Sequence, residues 1–225
     1  MTKKEILQNY KSTLNKISSL SDGRKVSLLI ATKMQSAEDI NFLIENGASI
    51  IGENRVQELL QKYDEIKKDK VSIHLIGSLQ KNKVKYICDK VDMIHSVDSL
   101  SLAEEINKRC AAIGRTMDVL IEINSGREAE KGGIMPEDAR SFLSSLAEFK
   151  NIRVRGLMTM APKCKSEEEY RGYFALTKSI FDELFKDDDS AILSMGMSNS
   201  YEYAIKEGAT LVRVGSAIFG ERKYN

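Results

Sequence analysis

Near the N-terminus, Ile6, Leu7, Tyr10, Leu14, Ile17 and Leu20 recur every three or four residues. This spacing predicts an amphipathic helix ahead of the first strand. Beyond it, short apolar or β-branched runs alternate with helical patterns. The predicted strands are Val26–Thr32, Ser49–Ile51, Ser72–Ile76, Met93–Val97, Met117–Ile123, Val154–Met158, Ile192–Met195 and Leu211–Val214. Helical patterns fall near 36–46, 54–67, 80–89, 99–113, 136–149, 166–185 and 199–207. Ser36 with Asp39 and Ser166 with Glu169 resemble capping boxes, and Gly47, Gly114 and Gly208 fit helix C-caps. Such alternation with short joints points to parallel βαβ units. Eight strands predict an α/β fold: a (β/α)8 TIM barrel with an extra N-terminal helix. The rival is an open doubly wound sheet, which often carries a glycine-rich loop after its first strand. Here that strand runs into Lys33-Met34-Gln35, without glycine, which favours the barrel.

Composition narrows the class. At 225 residues the chain suits one barrel domain over 1–225, and its two prolines, Pro136 and Pro162, mark no linker. With 42% hydrophobic and 30% charged residues it can fill a large core and stay soluble. A net charge of +1 gives no global pull toward nucleic acid or an anionic membrane. Cys88, Cys110 and Cys164 are scattered and odd in number, which fits reduced thiols in a cytoplasm. Met1 to Tyr10 lacks a signal-peptide core, and no apolar run approaches the roughly 20 residues a membrane helix needs. Asp187-Asp188-Asp189 reads as a solvated turn between a helix and a strand.

In a barrel the chemistry gathers at the C-terminal ends of the strands. Those ends read Lys33, Gly52-Glu53-Asn54, Gly77, Ser96, Asn124, Met158-Thr159, Gly196-Met197-Ser198 and Gly215-Ser216. An ammonium at the edge of a core is costly unless used, and burial favours a neutral amine that attacks carbonyls. The alternative for Lys33 is a strand-end lysine reaching water. Gly196-Met197-Ser198 and Gly215-Ser216 follow the last two strands, where barrels commonly bind phosphate. Either is otherwise an ordinary turn, and Ser198 could simply cap the next helix. A lysine nucleophile with a phosphate cradle points to pyridoxal 5′-phosphate.

Arg213 alternates with Val212 and Val214, so it faces the opposite side of the last strand. If that side lines the barrel, the guanidinium can reach a ligand ring, and a cation beside a pyridine nitrogen keeps that nitrogen unprotonated. Otherwise it pairs with a buried carboxylate. Glu53 and Asn54 could orient the lysine or ligand, or merely begin a helix. His74 and His95 lack neighbours at metal-ligand spacing and read as core or barrel-lining, so no metal is expected. Met158, Met160, Met195 and Met197 read as packing.

Several segments together resemble the pyridoxal phosphate homeostasis proteins. They are Ala31-Thr32-Lys33, Gly52-Glu53-Asn54-Arg55-Val56-Gln57-Glu58, His74 through Lys83, and His95-Ser96-Val97-Asp98. Asn124, Glu128, Lys131 and Gly133 follow, then Arg155 through Met160, Leu193 through Ser198, and Val212 through Gly220. The resemblance covers nearly the whole chain. It implies a barrel like the N-terminal domain of alanine racemase, with pyridoxal phosphate in a Schiff base on Lys33. It further implies phosphate contacts from Ser198, Gly215 and Ser216, a ring-nitrogen contact from Arg213, and Asn54 in the pocket. The family usually has an aspartate two residues after the serine of Met-Gly-Met-Ser, where this chain has Ser200. The departure bears on any helix-start or pocket role of that acid.

The resemblance implies a cofactor store or carrier without catalytic turnover, with apo forms of pyridoxal phosphate enzymes as candidate acceptors. A racemase on the same barrel would need a second base, which alanine racemase takes from an additional β domain. The chain ends soon after its eighth strand, so that domain is not expected, and a monomer is. A class I aldolase would use the lysine without the cofactor.

Overall fold

The computed structural model describes residues 1–220. Eight parallel strands close into a barrel in sequence order, β1 to β8, with β8 pairing back onto β1. The strands are β1 (Ser27–Ala31), β2 (Ile50–Glu53), β3 (Ser72–Leu75), β4 (Met93–Val97), β5 (Met117–Ile123), β6 (Ile152–Thr159), β7 (Ile192–Ser194) and β8 (Leu211–Val214). The α-helices are α1 (Lys3–Leu20), α2 (Ala37–Glu45), α3 (Val56–Lys62), α4 (Leu100–Ala112), α5 (Ala139–Leu146), α6 (Glu167–Leu184), α7 (Tyr201–Lys206) and α8 (Ser216–Phe219). The barrel is therefore the one predicted, not the open sheet.

Helix α1 is the extra N-terminal helix. A full capping box starts it: the Glu5 amide donates to Thr2 Oγ1 at 3.3 Å and the Thr2 amide donates to Glu5 Oε2 at 2.7 Å. Its buried stripe of Ile6, Tyr10, Thr13 and Ile17 packs it against α7 and α8. At Ser36 and Ser166 the predicted caps form, each hydroxyl accepting from the amide three residues on. Their acids do not complete the box, since Asp39 accepts from the Ser36 hydroxyl and Glu169 from the Lys165 amide. Gly47, Gly114 and Gly208 take positive φ just past α2, α4 and α7, as expected of C-caps.

Three predicted helices are not regular α-helices throughout; the 136–149 pattern opens with a 3-10 turn at Pro136–Asp138 before α5. The 54–67 pattern becomes α3 followed by a 3-10 turn at Tyr63–Glu65. The 80–89 pattern becomes a 3-10 helix at Lys81–Tyr86, in which Val84 is the buried residue. One apolar anchor among three lysines gives an α-helix no stripe to bury. The short α8 was not anticipated.

Outward-facing strand residues pack under the helices in the large core, which takes Leu28, Ile30, Val119, Ile121, Val212 and Val214. The alternate positions turn inward. Leu29, Ile76 and Leu211 form one small interior cluster, and Met93, Leu120 and Met158 another. At Gly156 the β5–β6 register shifts, leaving Arg155 as the extra residue. There φ is +144°, and a Cβ would stand 2.0 Å from the Ile192 carbonyl oxygen of β7.

Because backbone cannot yield there, Gly156→Ala is expected to lower stability by about 2–3 kcal/mol. Gly172→Ala, mid-helix with nothing within 4 Å of the new methyl, should raise it by about 0.5–1 kcal/mol. Urea unfolding of both variants checks the pair.

Candidate cofactor site

Lys33, Asn54, Ser198, Arg213, Gly215 and Ser216 all line one cavity of about 950 Å³ at the C-terminal mouth of the barrel. The β6–α6 loop, Met160 to Ser166, forms a wall of it together with Tyr170 and Tyr203. Six positions drawn from β1, β2, β7 and β8 and the loops after them thus meet on one rim, as strand closure demands.

Lys33 is half-buried and opens into this cavity, not into the core behind it. The support beneath it is ionic. Thr32, one residue earlier, is buried and donates from its hydroxyl to Glu53 Oε1. Lys62 Nζ sits 2.7 Å from the same oxygen and donates to the Thr32 carbonyl at 2.9 Å and the Gln35 carbonyl at 3.2 Å. Glu58 accepts from Lys62 at 3.3 Å and from the Met34 amide. Met34 has φ +62°, a conformation rarely adopted by a long side chain, and this clamp holds it. Glu53 therefore does not reach the ligand side. It lies fully buried, with Oε2 lacking any hydrogen-bond partner among the described residues, and burial pushes its pKa up against the opposing pull of Lys62. Asn54 follows it onto the rim. Gly77 permits this, because a Cβ there would stand 2.2 Å from the Asn54 carbonyl oxygen.

On the far side, Ser198 does not cap α7. Its hydroxyl accepts from the Gly215 amide at 3.1 Å and the Ala217 amide at 3.3 Å. Both N–H groups are thus spent on that oxygen, whose own proton stays free to donate, and Ser198, Gly215 and Ser216 line the same part of the cavity. The first position before α7 belongs to Ser200, the residue that departs from the family pattern. It makes no side-chain cap; its hydroxyl accepts from the Met197 amide at 3.2 Å. Ser200 thus braces the loop without placing a carboxylate beside the anion corner.

Arg213 points inward, on the face opposite Val212 and Val214 that alternation gave it. It donates from Nη1 to Ser194 Oγ at 2.7 Å and the Ser194 carbonyl at 2.9 Å, and from Nη2 to the Thr159 carbonyl at 2.9 Å. Burial lowers its pKa to about 10, so it stays cationic at neutral pH. Glu122, inward-facing on β5, attracts it electrostatically, and among the described residues no carboxylate forms a direct ion pair with it. Burial and the neighbouring Asp98 push Glu122 up to about 7. Sequence reasoning missed Lys62, Ser194 and Glu122. Lys62 left a signal: with Val56 and Leu59 it occupies the buried face of α3, where a lysine needs a partner.

The family model described as "Alanine racemase, N-terminal domain" matches residues 6–223. Solved alanine racemases share the fold: that of Clostridium difficile in complex with cycloserine gives a TM-score of 0.76 at 18% identity, over 97% of this chain and 61% of that one. A pyridoxal phosphate homeostasis protein of Aquifex aeolicus is 46% identical over 199 residues, 88% of this chain and 87% of that one. Its Escherichia coli K12 counterpart is 33% identical over 236 residues, 98% of each. The structure of PipY from Synechococcus elongatus with pyridoxal phosphate bound superposes with a TM-score of 0.79 at 33% identity, over 92% of this chain and 99% of that one. The fold class is thus that of the alanine racemase N-terminal domain. Within it, this chain belongs to the pyridoxal phosphate homeostasis protein family.

Two expectations follow from the site. Lys62→Met strands a buried carboxylate and should cost about 3 kcal/mol, whereas Lys62→Met with Glu53→Met should recover most of the loss. A double-mutant cycle in denaturant reads the coupling. Glu122 has its proton affinity raised by folding, from 4.5 to about 7. Its contribution is complete below pH 4.5 and is lost as the pH rises to about 7. Relative to Glu122→Gln, the wild type should therefore lose about 3 kcal/mol across that window. Paired melts of the two proteins from pH 4.5 to 7.5 measure it.

Proposed function

We propose that this protein binds pyridoxal 5′-phosphate at the barrel mouth and serves the cell's homeostasis of that cofactor, holding it through a reversible Schiff base on Lys33. The observation that carries the reading is the meeting, in one cavity, of the Lys33 amine, the Ser198, Gly215 and Ser216 corner and the inward-facing Arg213 guanidinium. Those three features suit the aldehyde, the phosphate and the ring nitrogen of one ligand. The names of the relatives and the ligand in PipY support the same reading.

The bound cofactor supplies an electrophilic aldehyde. Lys33 condenses with it and releases water, so addition of water returns both partners. Gly215, Ser198 and Ser216 hold the phosphate by hydrogen bonds. Arg213, a fixed cation, leaves the ring nitrogen without a proton, which weakens the ring as an electron sink and favours holding over turnover. Asn54 borders the ring from β2. Release serves acceptor apoenzymes, and no catalytic turnover is assigned.

Borohydride reduction of the protein incubated with pyridoxal phosphate should fix one cofactor on the peptide containing Lys33, and Lys33→Ala should abolish the visible absorption band. Mass mapping that finds the label on a different lysine overturns the assignment. Chiral analysis after incubation with alanine should show no racemisation; a steady appearance of the D-enantiomer would make the chain an enzyme.

A further inference from the structure

Polar side chains thread the barrel axis from one mouth to the other. At the N-terminal mouth Asp92 Oδ2, exposed, accepts from the Ser72 hydroxyl at 3.1 Å. Ser72 Oγ lies 3.0 Å from His74 Nε2, and His74 Nδ1 lies 2.9 Å from His95 Nε2. His95 Nδ1 lies 3.2 Å from Ser194 Oγ, which receives Arg213 Nη1 at 2.7 Å. Every link is at hydrogen-bond distance, and both histidines are buried.

The two ends fix the direction of every bond between them. A guanidinium only donates and a carboxylate only accepts. Ser72 spends its proton on Asp92, so it accepts from His74 Nε2–H. His74 Nδ1 is then bare and accepts from His95 Nε2–H. His95 Nδ1, bare in turn, accepts the Ser194 proton, which leaves the Ser194 oxygen lone pair to Arg213. Reversal at any link leaves two donors or two acceptors facing each other. Burial favours neutral rings, lowering His74 to about 4 and His95 well below its usual value, so each ring has one donor and one acceptor to offer.

We infer that His95 and His74 are positioning residues for the cofactor's ring nitrogen: acting through Ser194, they hold Arg213 in a single donor orientation beneath the cavity. The inference rests on the ligand assignment above only for the ring. The direction of the chain stands on the protein alone.

The chain contains two histidines, so a long-range proton–nitrogen NMR spectrum of the ligand-free protein at pH 7.5 holds two imidazole systems. Both should be neutral with the proton on Nε2; an Nδ1–H form of either ring overturns the inference. Ser194→Ala cuts the link to Arg213 and should raise the pyridoxal phosphate dissociation constant about tenfold and shift the bound-cofactor absorption maximum. His95→Leu should do the same, and His95→Gln, which keeps a donor and an acceptor, should recover most of the affinity. Unchanged affinity and spectrum in folded Ser194→Ala protein overturn the positioning role, and this variant keeps the test decisive if His95→Leu does not fold. Wild-type protein that binds no pyridoxal phosphate would refute the function proposed above, while the tautomers would still decide the direction of the chain.

Discussion

Closing eight parallel strands on themselves leaves half of every strand's side chains pointing at a narrow axis with no water to solvate them. Everything polar there must find a partner within the barrel. Leu29, Leu120, Met158 and Leu211 meet the constraint by being apolar. His74, His95, Ser194 and Arg213 meet it by bonding to one another, and the same bonds aim the guanidinium at the cavity. The site is thus the place where the polar contents of the barrel emerge.

A second ionic cluster does for Lys33 what the axial chain does for Arg213. Lys62 and Glu53 are too buried to be there for surface solubility, and a buried pair contributes little net stability. Its position explains it. Lys62 ties together the carbonyls of Thr32 and Gln35, which bracket Lys33, and Glu58 secures the left-handed Met34 between them. The amine is presented by a backbone held on both sides, while the amine itself faces the cavity. Lys62 and Lys33 thereby take opposite roles, one structural and one facing the cavity.

The barrel and its order were legible because strand and helix periods differ and each strand repeats the same alternation. The helix after β3 failed for lack of an apolar stripe, and α8 was too short to show a period. The candidate residues were legible because closure brings all strand ends to one rim, whatever their separation in sequence. The choice for Ser198 between a helix cap and a cavity residue stayed open in the sequence because its partners, Gly215 and Ala217, lie 17 and 19 residues later.

By itself the sequence determined which strand residues share a face and which strand ends carry a lysine, a serine or a glycine, and hence where a phosphate-bearing aldehyde would fit. Only the tertiary structure decided which polar groups pair. His95 and Ser194 are 99 residues apart, and Arg213 and Thr159 are 54 apart. A hydrogen bond is short and directional, so it depends on distances of a few tenths of an ångström. Periodicity assigns a face to a residue, and three-dimensional closure alone assigns it a partner.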